Sequence, residues 1–202
     1  MNPSPLVSHP LLIVISGPSG AGKDSVVQTL KARMPGIAFV VTATNRPPRP
    51  NERDGIDYFF VSTREFVRMI EADELVEYAQ VYNDYKGVPK DQLRTAFASG
   101  QDVVMRVDVQ GAATLHEKYP DALLIYLYAH EDELFRRLQA RRTDDDASLR
   151  LRVAMARKEL ARLPEFDYIV ANADERLEET VQVIMDIISA EHHKVKPRRV
   201  TL

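Results

Sequence analysis

Short continuous apolar runs alternate along this chain with longer stretches in which apolar residues recur every three or four positions. Leu11 to Ile15, Ile37 to Thr44, Asp102 to Asp108, Ala122 to Tyr128 and Phe166 to Ala171 are of the first kind. They are too short for helices and rich in Val, Ile and Leu, which suits strands buried on both faces, as in a parallel sheet. Helices are predicted from Lys23 to about Met34, over Asp91 to Ser99, Glu131 to Arg142, Ala147 to Leu163 and Glu175 to Ala190. Strand and helix in alternation predict an α/β fold. One segment interrupts it. Asn45 to Asp57 is rich in proline, which removes donors and fixes φ, so it is neither helix nor central strand. Tyr58 to Ser62 reads as a strand, and Ser62-Thr-Arg-Glu65 has capping-box spacing for a helix over Thr63 to Ala72. Glu74 to Tyr82 alternates as a strand does, and Asn83 to Gly87 reads as a turn. This predicts a small antiparallel subdomain inserted between two α/β units, of the kind that holds a second ligand.

Composition adds bounds. A chain of 202 residues with a net charge of −3 suits one substantial core and argues against nonspecific nucleic-acid binding. With no cysteine there are no disulfides and no thiolate metal sites. No apolar run reaches the roughly 18 to 20 residues of a membrane span, and the start lacks the order of a signal peptide. The expectation is a cytoplasmic protein without nucleic-acid or membrane partners. Residues 1–10, with three prolines, and 191–202, which are basic, read as flexible tails. His192-His193 reads as a solvated pair rather than a metal site, since no further ligand stands at the right spacing.

Candidate chemistry begins where the first strand ends. Gly17-Pro-Ser-Gly-Ala-Gly-Lys23 is a phosphate-cradling loop, with glycines where backbone must approach a ligand and a lysine at a helix N-terminus. Asp24 and Ser25 follow, where a hydroxyl residue normally comes directly after the lysine. A carboxylate there can ligate a hard cation, though its charge opposes phosphate. Arg46 and Arg49 stand in the stiff proline loop, as bidentate phosphate ligands or as solvated surface charges. Arg106 and Asp108 close a buried strand at its C-terminal end, the ligand-binding end of open α/β sheets. Arg136, Arg137, Arg141, Arg142, Arg150, Arg152 and Arg157 crowd two helices around a polar break, which reads as a hinged lid or an exposed hairpin.

Taken in order, the phosphate loop, Arg46-x-x-Arg49, Tyr58, Glu77, Val107-Asp-Val-Gln-Gly111 and Arg141-Arg-Thr-Asp144 resemble the guanylate kinase family, from about Leu11 to about Ala190. The Gly-Lys-Asp loop is similar to that of the branch found in plant organelles and some bacteria. The resemblance implies a P-loop nucleoside-monophosphate-kinase fold: a parallel-sheet core (11–44, 89–130 and 164–190), a small α+β GMP-binding subdomain (45–88) and a helical lid (131–163). It implies ATP and GMP as substrates, Mg²⁺ with the ATP, and a monomer or homodimer. By position, Gly17, Pro18, Ser19, Gly20, Ala21, Gly22, Lys23, Asp24 and Ser25 would cradle ATP, with Arg141 from the lid and Asn172 near adenine. Thr42, Arg46, Arg49, Tyr58, Glu77, Lys86 and Asp108 would hold GMP. Lys23, Arg46, Arg141 and Arg152 would carry catalysis, and Asp24 would meet the metal, through water if not directly.

Three departures from the family pattern qualify this. Lys86 replaces a tyrosine, Val88 replaces a hydroxyl that reads guanine, and Asp24 is matched by Arg106 at a position often acidic in relatives. The changes at Asp24 and Arg106 are expected to compensate, Arg106 neutralising Asp24 or touching phosphate. A ribose 1,5-bisphosphate phosphokinase, which shares Gly-Lys-Asp, and a noncatalytic guanylate-kinase-like interaction module are the alternatives. The first has no use for guanine carboxylates, and the second usually has an eroded loop.

Overall fold

The computed structural model describes residues 9–50, 52–81, 84–140 and 146–202. The chain runs β1 (Leu12–Ser16), α1 (Lys23–Arg33), β2 (Ile37–Phe39), β3 (Ala43–Thr44), β4 (Phe59–Phe60), α2 (Thr63–Glu71), β5 (Leu75–Val81) and β6 (Asp84–Pro89). It continues with α3 (Lys90–Ala98), β7 (Asp102–Arg106), α4 (Val109–Lys118), β8 (Leu123–Tyr128), α5 (Glu131–Ala140), α6 (Asp146–Leu160), β9 (Tyr168–Ala171) and α7 (Leu177–His192).

Five strands form a parallel sheet in the order β2-β7-β1-β8-β9. Strand β1 is central and wholly buried, and its alternation divides the core into two layers. Ile13 and Ile15 pack with Val26, Val27 and Leu30 of α1 and Val181, Ile184 and Ile188 of α7. Leu12 and Val14 pack on the other face with Leu93 of α3 and Ala112 and Leu115 of α4. Each such side chain contributes about 1.5–3 kcal/mol on burial, which is why this sheet is the rigid frame of the molecule.

A second sheet has the order β4-β3-β6-β5 and its own small core around Phe66, with Phe66 stacked on Tyr85 at 5.3 Å. It is mixed rather than antiparallel, because β4 runs parallel to β3. The long proline loop between them gives the chain room to return and enter β4 in the same direction. The expected single strand over Ile37 to Thr44 divides between the two sheets. Val40 N–H still donates to Val104 of the first sheet at 3.0 Å, whereas the Thr42 carbonyl accepts from Phe59 of the second at 2.9 Å. The expected turn over 83–87 is also corrected: β6 begins at Asp84, and Tyr85 N–H donates to Asn45 Oδ1 at 2.6 Å, which pins the strand beside β3.

The C-terminal segment packs on the core. Glu191 is buried and accepts from the Tyr168 hydroxyl and from Arg198 Nε, both at 2.8 Å. Arg198 also reaches Asp167 at 2.8 Å and the Ala122 carbonyl at 2.9 Å. His192 Nε2 lies 2.7 Å from Asp102 Oδ2, and Asp102 Oδ1 accepts from Leu11 N–H at 2.9 Å. Leu11, Asp102, Ala122 and Asp167 stand at or just before the starts of β1, β7, β8 and β9. The segment expected to fray therefore straps the N-terminal edge of the sheet, and His192 is paired rather than solvated.

Candidate active site

The opposite edge, where the strands end, carries the phosphate loop. Gly22 caps α1 in the left-handed region with φ of 88°. A Cβ there would lie 2.3 Å from Asn172 Nδ2, so only glycine fits. The Asn172 amide donates to the Ala21 carbonyl at 2.7 Å, and Arg137 of α5 donates to the Asn172 carbonyl at 2.7 Å and to Asp174 at 2.8 Å. The loop is thus braced from behind by the turn after β9. Lys23 Nζ donates to the Gly17 carbonyl and, at 3.0 Å, to that of Pro18. Burial first and Lys86 second pull its pKa down to about 8. A lysine so desolvated gains strongly from an anion.

An open cleft lies between this loop and the second sheet. Its walls include Gly17, Pro18, Ser19, Gly20, Gly22, Lys23 and Asp24 of the loop and the start of α1, together with Thr42, Arg46, Arg49, Tyr58, Glu77, Lys86 and Asp108. All seven candidates for the second nucleotide, drawn from segments up to 66 positions apart, therefore face one cleft with most of the loop. Ala21 and Asn172 are buried and brace the loop, and Ser25 is exposed on α1; none of the three lines the cleft. Arg152 of α6 does line it, with Nη1 3.1 Å from Ser19 Oγ. Arg141 lies outside the described residues.

Arg46 is buried and forked onto Glu52 at 2.6 and 2.7 Å, above the rings of Tyr58 and Phe60 at 4.8 and 5.5 Å. Glu52 also accepts from Arg49 N–H at 2.7 Å, so one carboxylate rigidifies the arginine loop. Arg46 Nε is buried with no partner among the described residues. Sequence reading passed over Glu52, although an acid three residues beyond Arg49 in a basic loop is a signal for such a brace.

Glu77 is the most unusual group in the cleft. It projects from β5, is 4% exposed, and its Oε2 has no hydrogen-bond partner among the described residues. Burial first and Asp108 second push its pKa up to about 8. Space for it exists because Gly111 has no side chain; a Cβ there would come within 2.5 Å of Oε2. Asp108 caps α4 by accepting from Gly111 N–H at 2.9 Å, so the same turn fixes both carboxylates. Val88 is fully buried in the core. Its side chain offers no hydroxyl to the cleft.

Asp24 and Arg106 meet at 2.6 Å. The compensation expected from sequence is therefore a direct ion pair. Among the described residues no three acidic or histidine side chains converge as a metal site. One carboxylate beside the loop lysine nevertheless fits Mg²⁺, which keeps several waters and binds through one or two carboxylates together with substrate phosphates.

Residues 9–191 match the family model described as guanylate kinase. The chain belongs to the guanylate kinase family. Among guanylate kinases, it is 50% identical over 196 residues to "Guanylate kinase 2, chloroplastic/mitochondrial" of Oryza sativa subsp. japonica, covering 96% of this chain and 69% of the relative. It is 40% identical over 181 residues to the guanylate kinase of Synechococcus sp. strain JA-3-3Ab, covering 89% and 82%. The crystal structure of guanylate kinase from Anaplasma phagocytophilum superposes with a TM-score of 0.76 at 29% identity, over 95% of this chain and 91% of that one. The family's α/β fold with a parallel-sheet core is thus the fold of this chain.

Proposed function

We propose that this guanylate kinase family member transfers the γ-phosphoryl group of ATP to GMP, giving ADP and GDP. The observation that carries the reading is Glu77: a buried carboxyl group with one oxygen unpartnered among the described residues, in one cleft with Lys23. Guanine presents two adjacent donors, its ring N1–H and its exocyclic amine, and a carboxylate accepts both; adenine lacks that edge. A buried acceptor left unpaired costs about 1–3 kcal/mol, so the site rejects the wrong base. Arg46, Arg49, Tyr58 and Lys86 hold the GMP phosphate, Asp108 and Thr42 complete the base contacts, and the loop with Lys23 cradles ATP.

Lys23, Arg46 and Arg152 meet the charge that develops between donor and acceptor phosphates, where positioning and electrostatics are most of the catalysis. Asp24 and the ATP phosphates would hold Mg²⁺, which would supply further charge neutralisation. Segment 45–88 acts as the GMP-binding subdomain and 131–163 as a lid that excludes water. Arg141 belongs to the same proposal as a lid ligand of ATP. We place the protein in the cytoplasm, in purine nucleotide metabolism and GMP recycling, without nucleic-acid or membrane partners. Among the described residues no helix is long and apolar enough to cross a membrane.

A coupled assay of ADP release with ATP and Mg²⁺ tests the reading. Turnover is expected with GMP and not with UMP or ribose 1,5-bisphosphate. Turnover with the sugar bisphosphate alone would replace it, and ATP binding without any turnover would make the chain an interaction module.

A further inference from the structure

One side chain joins the phosphate loop to the second sheet without a part in the chemistry above. Arg106 ends β7 and its side chain is largely buried. Its Nη1 lies 2.6 Å from Asp24 Oδ1, its Nη2 donates to the Asp57 carbonyl, and its guanidinium sits 4.1 Å from the centroid of the Tyr58 ring. Tyr58 closes the triangle, its hydroxyl 3.5 Å from the same Asp24 oxygen. The first turn of the loop helix is thereby tied to the segment that carries the aromatic ligand of the second nucleotide.

We infer that Arg106 couples the two nucleotide sites, so that ATP bound at the loop tightens GMP binding at the second sheet, and the reverse. The inference rests on the substrate reading given above. A guanidinium is planar and rigid, so the edge on Asp24 cannot turn without moving the edge on Asp57 and the face on Tyr58. Asp24 follows Lys23 directly, and triphosphate settling on the loop fixes both. Fixing Asp24 fixes Arg106, and with it Asp57 and Tyr58. The second nucleotide then meets groups already ordered and loses less conformational entropy on binding. Thermodynamic linkage makes the effect reciprocal. Charge acts in the same direction: an unneutralised Asp24 would repel the triphosphate, and Arg106 offsets it. An ion pair that merely stabilised the fold would leave the two affinities independent.

The test is calorimetric titration of GMP with and without a saturating β,γ-imido ATP analogue and Mg²⁺. It is run on the full chain and on Arg106→Gln and Arg106→Lys, each checked for folding by circular dichroism. In the unsubstituted protein the analogue is expected to lower the GMP Kd by about fivefold or more. In both variants the two Kd values are expected to agree within about twofold. Lysine restores a charge beside Asp24 but, as a point charge, cannot also hold the Asp57 carbonyl and the Tyr58 ring. Arg106→Lys therefore separates coupling from neutralisation, and it carries the test alone if Arg106→Gln does not fold. A ratio near one in the unsubstituted protein, or a ratio retained in Arg106→Lys, would overturn the inference. GMP that fails to bind the unsubstituted protein at all would overturn the substrate reading itself.

Discussion

A buried carboxyl oxygen without a partner is expensive, and Glu77 Oε2, which has none among the described residues, bears that cost in the folded protein. Its pKa of about 8 lies above the usual 4.5, so the folded state holds the proton more tightly than the unfolded state does. This group's contribution to stability therefore falls as the pH rises from about 4.5 to about 8. Glu77→Gln removes the titration. Its melting temperature is expected to exceed that of the unsubstituted protein by a margin that widens across this window, while kcat/KM for GMP drops about 100-fold or more. An unchanged margin from pH 5 to pH 8 would contradict the assignment. On the proposed function guanine takes the ionised form, so GMP binding at pH 7 is expected to release a proton from Glu77. Titrations in buffers of different ionisation enthalpy should report that release, and proton uptake would be the wrong sign. Lys23→Ala should lose about 1,000-fold or more in kcat with its circular dichroism spectrum unchanged, because among the described residues the ammonium group bonds loop carbonyls alone. Retained turnover would mean that the loop is not the ATP site.

Elements decide where these residues can stand. The strand–loop–helix at Leu12 to Arg33 was legible because three local signals coincide: a buried apolar run, small residues and helical periodicity. The helix α4 was not. Val107-Asp-Val-Gln-Gly111 drew attention as a motif, and its glycine masked the cap at Asp108 and the apolar spacing of Ala112 and Leu115. The division of Ile37 to Thr44 between two sheets was not legible either, since both halves have strand composition and only long-range pairing separates them. Glu52 escaped for a related reason: its ion pair with Arg46 depends on how the proline loop folds back. Glycine in a helix ordinarily costs about 0.5–1 kcal/mol against alanine, so Gly111→Ala would normally stabilise. Here the added Cβ meets Glu77 Oε2 at 2.5 Å. We expect Gly111→Ala to raise KM for GMP about tenfold and to leave KM for ATP within about twofold, measured by initial rates. Equal effects on both nucleotides would detach Glu77 from the GMP site.

At the scale of the whole molecule, the two edges of the parallel sheet have different duties. The C-terminal edge holds the cleft; the N-terminal edge is bound by the strap from Glu191 to Arg198. Composition alone made that strap look like a basic tail, because its partners Asp102 and Asp167 stand far away in the sequence. Truncation after Lys194 would leave Glu191 and Asp167 without Arg198. Lys194 and Tyr168 still hold Glu191, so the expected loss is about 1–2 kcal/mol of stability by denaturant titration, with kcat for GMP unchanged. A truncated chain of equal stability would show the strap to be incidental.

The central claim is that Glu77 reads two guanine donors in a cleft opposite the ATP loop. The most direct measurement is kcat/KM for GMP, IMP and AMP as acceptors with ATP and Mg²⁺. IMP keeps the ring N1–H but lacks the exocyclic amine, and AMP lacks both donors. GMP is expected first, IMP lower by about 10–100-fold and AMP without measurable turnover. AMP turned over as well as GMP would contradict that claim.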